Sequence, residues 1–306
     1  MDSSCGPLVF GEALYDSFPD GSAVLGGAPF NVAWHLQGFG LAPLFITRVG
    51  RDELGERMIA AMRAWGMDTR GVQTDPRHPT GSVAVSFRGH EPSFSIVPEQ
   101  AYDFIDGELA AALMQDGSPG LLYHGSLIAR HSASRDALAR LRSAGLSVFL
   151  DVNLRAPWWQ RPWLDDALRS ARWGKVNEHE LRVLAAPDAT GDDGDDGDDD
   201  VSARGQRLRR EYGLELLVVT RGAAGALLLT AAGATAAAPH DTAAIVDTVG
   251  AGDAFSAVTI LGLLRGWSLP QMAVRAVELA GAVCRMRGAT GHDRALYQKH
   301  LLRWAT

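Results

Sequence analysis

The chain has 306 residues, 46% of them hydrophobic, and a formal net charge of −7. That is long and apolar enough for one large α/β domain with a sizeable core. The seven aspartates of the tract 191–200 account for the whole charge imbalance, so no basic field remains to attract nucleic acid.

Two cysteines, Cys5 and Cys284, offer neither a disulfide framework nor the spacing of a metal site, which fits a reducing cytosol. The N-terminus lacks a basic segment followed by a long apolar one, so no signal peptide is expected and the location is read as cytoplasmic. Residues 222–239 carry no charge, but Ala, Gly and Thr dominate them. That composition predicts two short strands around an Ala-Gly turn, not a membrane span.

Taken in order, apolar strand-like runs alternate with helical patterns. Leu8-Val9-Phe10 reads as a short strand, and Leu14 to Leu25 as a further strand region. Leu44 to Thr47 reads as a strand; Leu54, Met58, Ala61, Met62 and Trp65 then share one helical face, and Gly66 stops that helix. Ser82 to Phe87 and Ser93 to Val97 alternate polar and apolar residues, the pattern of a hairpin with one wet face. Strands over 120–123, 146–152, 173–176 and 216–220 are separated by helices over 137–144, 164–171 and 204–212. The rhythm predicts a parallel sheet covered by helices. The hairpin and the Leu14 region fall outside it, in residues 12–25 and 80–98, and are expected to form a small sheet that acts as a lid. The tract within 188–201 is of low complexity and is expected to be a disordered insertion; its glycine spacing does not fit a calcium loop.

The segment Asp247-Thr248-Val249-Gly250-Ala251-Gly252-Asp253 precedes an apolar helix read over 254–264, with Gly250 to Asp253 as its first turn. The first amides of a helix have no internal partner, and the helix dipole makes that end attractive to an anion such as phosphate. A carboxylate beside that anion suits a general base that takes a proton from an attacking hydroxyl. The plainer alternative is an N-cap aspartate after a glycine-rich turn.

Ligands of a parallel sheet gather at the carboxyl ends of its strands. Asp16 follows the first strand region, Asp151, Asn153 and Arg155 end the strand over 146–152, Asn177 and Glu180 follow the strand over 173–176, and the run Thr220-Arg221-Gly222-Ala223-Ala224-Gly225 ends the strand over 216–220. Singly each also reads as a turn, cap or surface residue; their shared location argues for a site. A Walker loop is absent, and Phe255 stands where a dinucleotide fingerprint needs Gly or Ala. His124, His131 and His240 lack zinc spacing; His124 is expected to make a structural hydrogen bond near a strand end, and Trp158 and Trp159 to pack.

Taken together these motifs resemble the ribokinase-like (PfkB) family of carbohydrate kinases, over essentially the whole chain. Asp247 to Asp253 match its D-T-x-G-A-G-D signature, and Gly26-Gly27-Ala28-Pro29-Phe30-Asn31 with Val49 to Gly55 match its N-terminal signature. Gly11 to Asp16, Tyr123 to Leu127 and Asp151 to Arg155 are most similar to bacterial fructokinases. The resemblance implies a three-layer α/β/α fold with a small β-sheet lid, and transfer of the γ-phosphoryl of ATP, with Mg2+, to a sugar hydroxyl, fructose first. By position it implies Asp253 as catalytic base, with Gly250, Ala251 and Gly252 as the anion hole. Asp16, Gly26, Gly27 and Asn31 would hold sugar hydroxyls, and Arg155 would reach the sugar or the phosphoryl group. Asn177 and Glu180 would organise magnesium and phosphates, Glu180 through water, and Thr220, Gly222 and Gly225 would line the nucleotide groove. Asp247, with backbone near Ala282 to Gly288, would bind a monovalent cation such as K+.

The apolar Ala28-Pro29-Phe30 loop leaves 2-keto-3-deoxygluconate, ribose or a nucleoside as alternative acceptors, and a catalytically silent sensor as the reading from another class. Val83, Val85 and Phe87 on one face of the lid are expected either to cover the sugar or to pair with a second copy in a homodimer. No membrane partner is expected.

Overall fold

The computed structural model describes residues 6–88, 91–114, 120–185, 198–239 and 245–305. In chain order, β1 (Leu8–Phe10) is followed by β2 (Leu14–Ser17), β3 (Ala23–Gly26), α1 (Ala28–Gly38), β4 (Leu44–Gly50), α2 (Glu53–Trp65) and β5 (Val72–Asp75). Next come β6 (Gly81–Arg88), β7 (Glu91–Ile96), α3 (Gly107–Ala112), β8 (Leu121–Gly125), α4 (Ser132–Arg142), β9 (Ser147–Asp151), α5 (Arg161–Ser170), β10 (Trp173–Asn177) and α6 (Glu178–Ala185). The last elements are α7 (Asp198–Tyr212), β11 (Leu216–Thr220), β12 (Ala226–Thr230), β13 (Gly233–Ala237), α8 (Ala251–Arg265), α9 (Leu269–Val283) and α10 (Arg294–Trp304).

Nine strands form one sheet in the order β13-β12-β11-β10-β9-β8-β1-β4-β5, and β3-β2-β6-β7 form a separate small sheet. The large sheet is parallel from β5 to β11, with β12 and β13 antiparallel at one edge. The chain builds outward from β1 to β4 and β5, then returns to β8 on the other side of β1. This reversal of strand order beside β1 opens a crevice at the carboxyl ends, where such folds bind ligands. Both strands of the Leu14 region, β2 and β3, belong to the small sheet, and β2 pairs in parallel with β6.

The period of two along each strand sends alternate side chains into two cores. Val9, Leu216 and Val218 face a core shared with α1, α2, α8, α9 and α10. Leu8, Phe10, Leu217 and Val219 face the other, shared with helices α3 to α7. The result is three layers, as expected. Helix α8 is buried along every position from Ala254 to Gly262, which is why its sequence is apolar all round.

Several expectations meet the structure with adjustments. The hairpin connection is shorter than the sequence suggests: Arg88 pairs with Glu91, and its residues 89 and 90 lie outside the described ones. The acidic tract also lies outside them up to residue 197. Asp198 to Val201, however, are the start of α7, so the insertion ends earlier than expected. Val83 is 6% exposed and already packs in the chain's own core, so it is not free to meet a second copy. The side chains of Val85 and Phe87 lie outside the description. Among the described residues no helix is long and apolar enough to cross a membrane, and residues 226–237 form the two antiparallel strands expected.

Candidate active site

Two helix starts meet at the sheet's carboxyl edge. Helix α1 begins after Gly27, whose φ of 103° lies in the left-handed region; a Cβ there would stand 2.8 Å from the carbonyl oxygen of Glu12. Glycine is therefore required at that turn. Helix α8 begins after Gly250, with φ 80°, where a Cβ would fall 2.3 Å from the Cβ of Ala289. The Ala251 amide makes a long turn bond to Thr248 O at 3.3 Å, and the intrahelical series opens with Ala254 N–H to Gly250 O at 2.9 Å. The amides of Gly252 and Asp253 have no carbonyl within the helix to bond.

Asp253 lies in that first turn. Asn31, in the first turn of α1, donates from Nδ2 to Asp253 Oδ2 at 2.8 Å, and the remaining Asn31 oxygen is buried with no hydrogen-bond partner. Burial pushes the Asp253 carboxyl up to about 6; Asp151 adds to the rise, while the Asn31 bond, Lys175 and Arg155 oppose it. The group is thus ionised at neutral pH, yet basic enough to accept a proton.

On the small sheet, Asp16 of β2 points to the end of β3: its Oδ2 is 3.3 Å from where a Gly26 Cβ would be. Burial raises the Asp16 carboxyl as well, with Arg155 opposing and Asp247 adding. Arg155 follows β9 and donates to Leu154 O at 3.3 Å. Its charge reaches Asp253, Asp16 and Glu12 together, so the predicted sugar residues Asp16, Gly26, Gly27, Asn31 and Arg155 converge with Asp253.

Asn177 and Glu180 are brought together, but by each other. Glu180 N–H donates to Asn177 Oδ1 at 2.9 Å, and Asn177 N–H donates to Glu180 Oε2 at 2.8 Å, a reciprocal cap for α6. Glu180 Oε1 accepts the Leu154 amide at 2.8 Å, which ties the Arg155 loop to α6. Both carboxylate oxygens are engaged and the residue is 4% exposed, so direct ligation is not offered. Each oxygen retains acceptor capacity, so the pair fits a hydrated Mg2+ at second hand, as that ion's reluctance to lose water favours. No cluster of three His, Cys, Asp or Glu able to hold a metal occurs among the described residues.

Asp247 accepts the amides of Val249 and Gly288 at 3.0 and 3.1 Å, drawing the segment after α9 against the turn that precedes α8. Thr220 ends β11, and Gly222 to Ala224 form a short turn before Gly225, where a Cβ would meet Ala237 O at 2.0 Å. This loop stands two strands away from β9.

Three buried groups at this edge were not singled out from the sequence. Glu12 is 3% exposed with Oε2 unpartnered, and burial raises its carboxyl to about 7. Lys175 and Ser256 both bond Asp151. An acid directly after an apolar strand and a lone lysine inside one are signals that could have found Glu12 and Lys175. His124 is structural as expected: Nδ1 lies 2.9 Å from Gly125 O, burial lowers the imidazole to about 4, and Nε2 has no partner. Trp158 packs under the Arg130 guanidinium at 4.8 Å.

Residues 16–294 match the family model of the pfkB family carbohydrate kinases. The chain is 31% identical over 287 residues to a fructokinase of Klebsiella pneumoniae, covering 89% of both chains. It is 25% identical over 266 residues to a 5-dehydro-2-deoxygluconokinase of Geobacillus thermodenitrificans, covering 81% of this chain and 74% of that one. A crystal structure of Vibrio cholerae fructokinase bound to fructose, ADP and calcium superposes with a TM-score of 0.77 at 26% identity, over 97% of this chain and 99% of that one. The chain therefore belongs to the pfkB family of carbohydrate kinases, and it is a sugar kinase.

Proposed function

We propose that this kinase transfers the γ-phosphoryl group of ATP to a primary hydroxyl of fructose, with Asp253 as general base. The observation that carries the reading is the meeting of two helix starts: Asn31 of α1 bonds Asp253 of α8 at 2.8 Å beside the open amides of Gly252 and Asp253. Asp253 accepts the hydroxyl proton as the oxygen–phosphorus bond forms and the bond to the ADP oxygen breaks. The α8 terminus stabilises charge on the transferred group. Most of the acceleration in such transfers comes from positioning and electrostatics, which suits a site built from turns and fixed charges.

Asp16, Gly26, Gly27 and Asn31 hold the sugar hydroxyls, and Arg155 reaches the sugar or the phosphoryl group. Thr220, Gly222 and Gly225 line the nucleotide groove. When bound, Mg2+ offsets phosphate charge; Asn177 and Glu180 would hold its water shell. Asp247 and the backbone beyond α9 would take a monovalent cation. The small sheet closes over the sugar and excludes water that would otherwise hydrolyse ATP. The similarity to named fructokinases supports fructose as acceptor, and the fructose and ADP held by the Vibrio cholerae enzyme are consistent with it.

The 5-dehydro-2-deoxygluconokinase relative keeps a sugar acid as the second acceptor. ADP release measured with fructose, ribose, 2-keto-3-deoxygluconate, 5-dehydro-2-deoxygluconate and adenosine decides between them. Fructose is expected to give the highest kcat/KM, and a tenfold preference for another acceptor would replace it.

A further inference from the structure

Asp151 ends β9 at 1% exposure, and three elements converge on its carboxylate. Lys175 of β10 donates from Nζ to Oδ1 and Oδ2 at 2.8 and 2.7 Å. Ser256 of α8 donates to Oδ2 at 2.8 Å, and the Tyr123 hydroxyl of β8 reaches the same oxygen at 3.2 Å. Ser256 Oγ also lies 3.1 Å from Gly252 O, one helical turn back. The Lys175 ammonium stands 3.5 Å from where a Gly252 Cβ would be, beside the turn that presents the open amides.

A buried ion pair is poor evidence for stability, because apolar residues of the same volume do as well without the desolvation cost. The position of this one, tied to α8 through Ser256 and lying beside that helix's first turn, is therefore informative. We propose that Lys175 is a positioning residue for phosphoryl transfer: held by Asp151, which Ser256 ties to α8, it is the fixed cation behind the anion-binding turn. Its charge offsets the negative charge that gathers when a triphosphate docks beside Asp253, and its bond to Asp151 fixes where that charge sits. This inference rests on the reading of Asp253 as base.

The charged and titratable groups that face Asp253 are Asp151 from β9, Tyr123 from β8, Lys175 from β10, Arg155 from the loop after β9 and Glu12 from the segment after β1. Lys175 and Arg155 favour the ionised base, and Asp151 opposes it. Loss of Lys175 alone leaves the Asp151 charge uncompensated and makes Asp253 hold its proton to higher pH.

The test compares wild type, Lys175→Met, Asp151→Asn, the Asp151→Asn/Lys175→Met double variant and Asp253→Asn, in steady-state turnover with ATP and the best acceptor. The double variant removes both buried charges and so leaves neither partner unpaired, whereas Asp151→Asn alone keeps the Lys175 ammonium without its carboxylate; thermal melts of each variant establish folding, and the two compared isolate the lysine. In the Asp151→Asn background, Lys175→Met is expected to lower kcat by a further factor of about ten or more, with KM for the sugar changed less than about threefold. In Lys175→Met alone, the acidic limb of the pH–rate profile is expected to move up by about one unit. A double variant within threefold of Asp151→Asn, or an acidic limb that does not move, overturns the proposal. Asp253→Asn separates the two claims. If it keeps its rate, the base assignment is wrong; if it is inactive while Lys175→Met is neutral in the Asp151→Asn background, only the role of Lys175 is wrong.

Discussion

Asp253 and Glu12 are both carboxyls that burial drives upward, and they differ in what they are for. Asp253 must be ionised to act as base, and its carboxyl is pushed up to about 6. The account predicts that kcat/KM falls about tenfold per unit as pH drops below about 6; a rate that stays flat to pH 5 would count against it. Glu12 has an orphaned oxygen and a carboxyl raised to about 7. A raised carboxyl makes the folded state prefer the proton: the cost is absent below the unfolded value near 4.5, appears as pH rises, and is complete above about 7. Glu12→Gln, which removes that charge, is predicted to raise Tm by a few degrees at pH 8 and to leave it unchanged at pH 4.5, with an upper bound on the order of 3 kcal/mol. Calorimetry at the two pH values checks this, and an equal shift at both contradicts it. Asp253 was legible in the sequence as the proposed base because Gly250, Ala251 and Gly252 announce an open helix end and Asp253 follows at once. The sequence could have flagged Glu12 and Lys175 as unusual but not their roles, because these depend on neighbours distant in sequence: Lys175 meets Asp151 on the adjacent strand, and the Glu12 carbonyl lies against Gly27.

At the level of elements, the start of α8 is the critical joint. Gly250 combines a left-handed φ with a contact against Ala289 that no side chain fits. Gly222 shares the left-handed φ, at 54°, but a Cβ there meets nothing within 4 Å. Gly250→Ala is therefore predicted to lose at least about tenfold in kcat and 2–3 kcal/mol of stability, roughly the sum of backbone strain and overpacking. Gly222→Ala is predicted to cost only the strain, about 1 kcal/mol. Urea unfolding and turnover of the pair test this, and equal losses would contradict it. Strand–helix alternation was readable from Leu8 to Thr220 because β strands and helices carry different apolar periods. The reciprocal cap between Asn177 and Glu180 was harder to read: the N-x-x-E spacing suits a capping box and a phosphate site equally, and the structure shows the cap.

Across the whole molecule, the reversal of strand order beside β1 explains why residues as far apart as Asp16, Asn31, Arg155 and Asp253 share one crevice. The small sheet is built from two excursions of the chain, after β1 and after β5, and its residues Leu14 and Val83 pack with Leu8 and Phe10 of the large sheet. A parallel sheet covered by helices was predictable from period and its three layers from the family resemblance, whereas the far ends of the chain's contacts, such as Asp247 with Gly288, come only from three-dimensional packing. The most direct measurement of the central claim is turnover of Asp253→Asn with ATP and fructose, alongside calorimetric binding of ADP. The account predicts that kcat falls about 10³-fold or more while ADP affinity stays within about threefold. A variant that binds ADP and still turns over near the wild-type rate would contradict it.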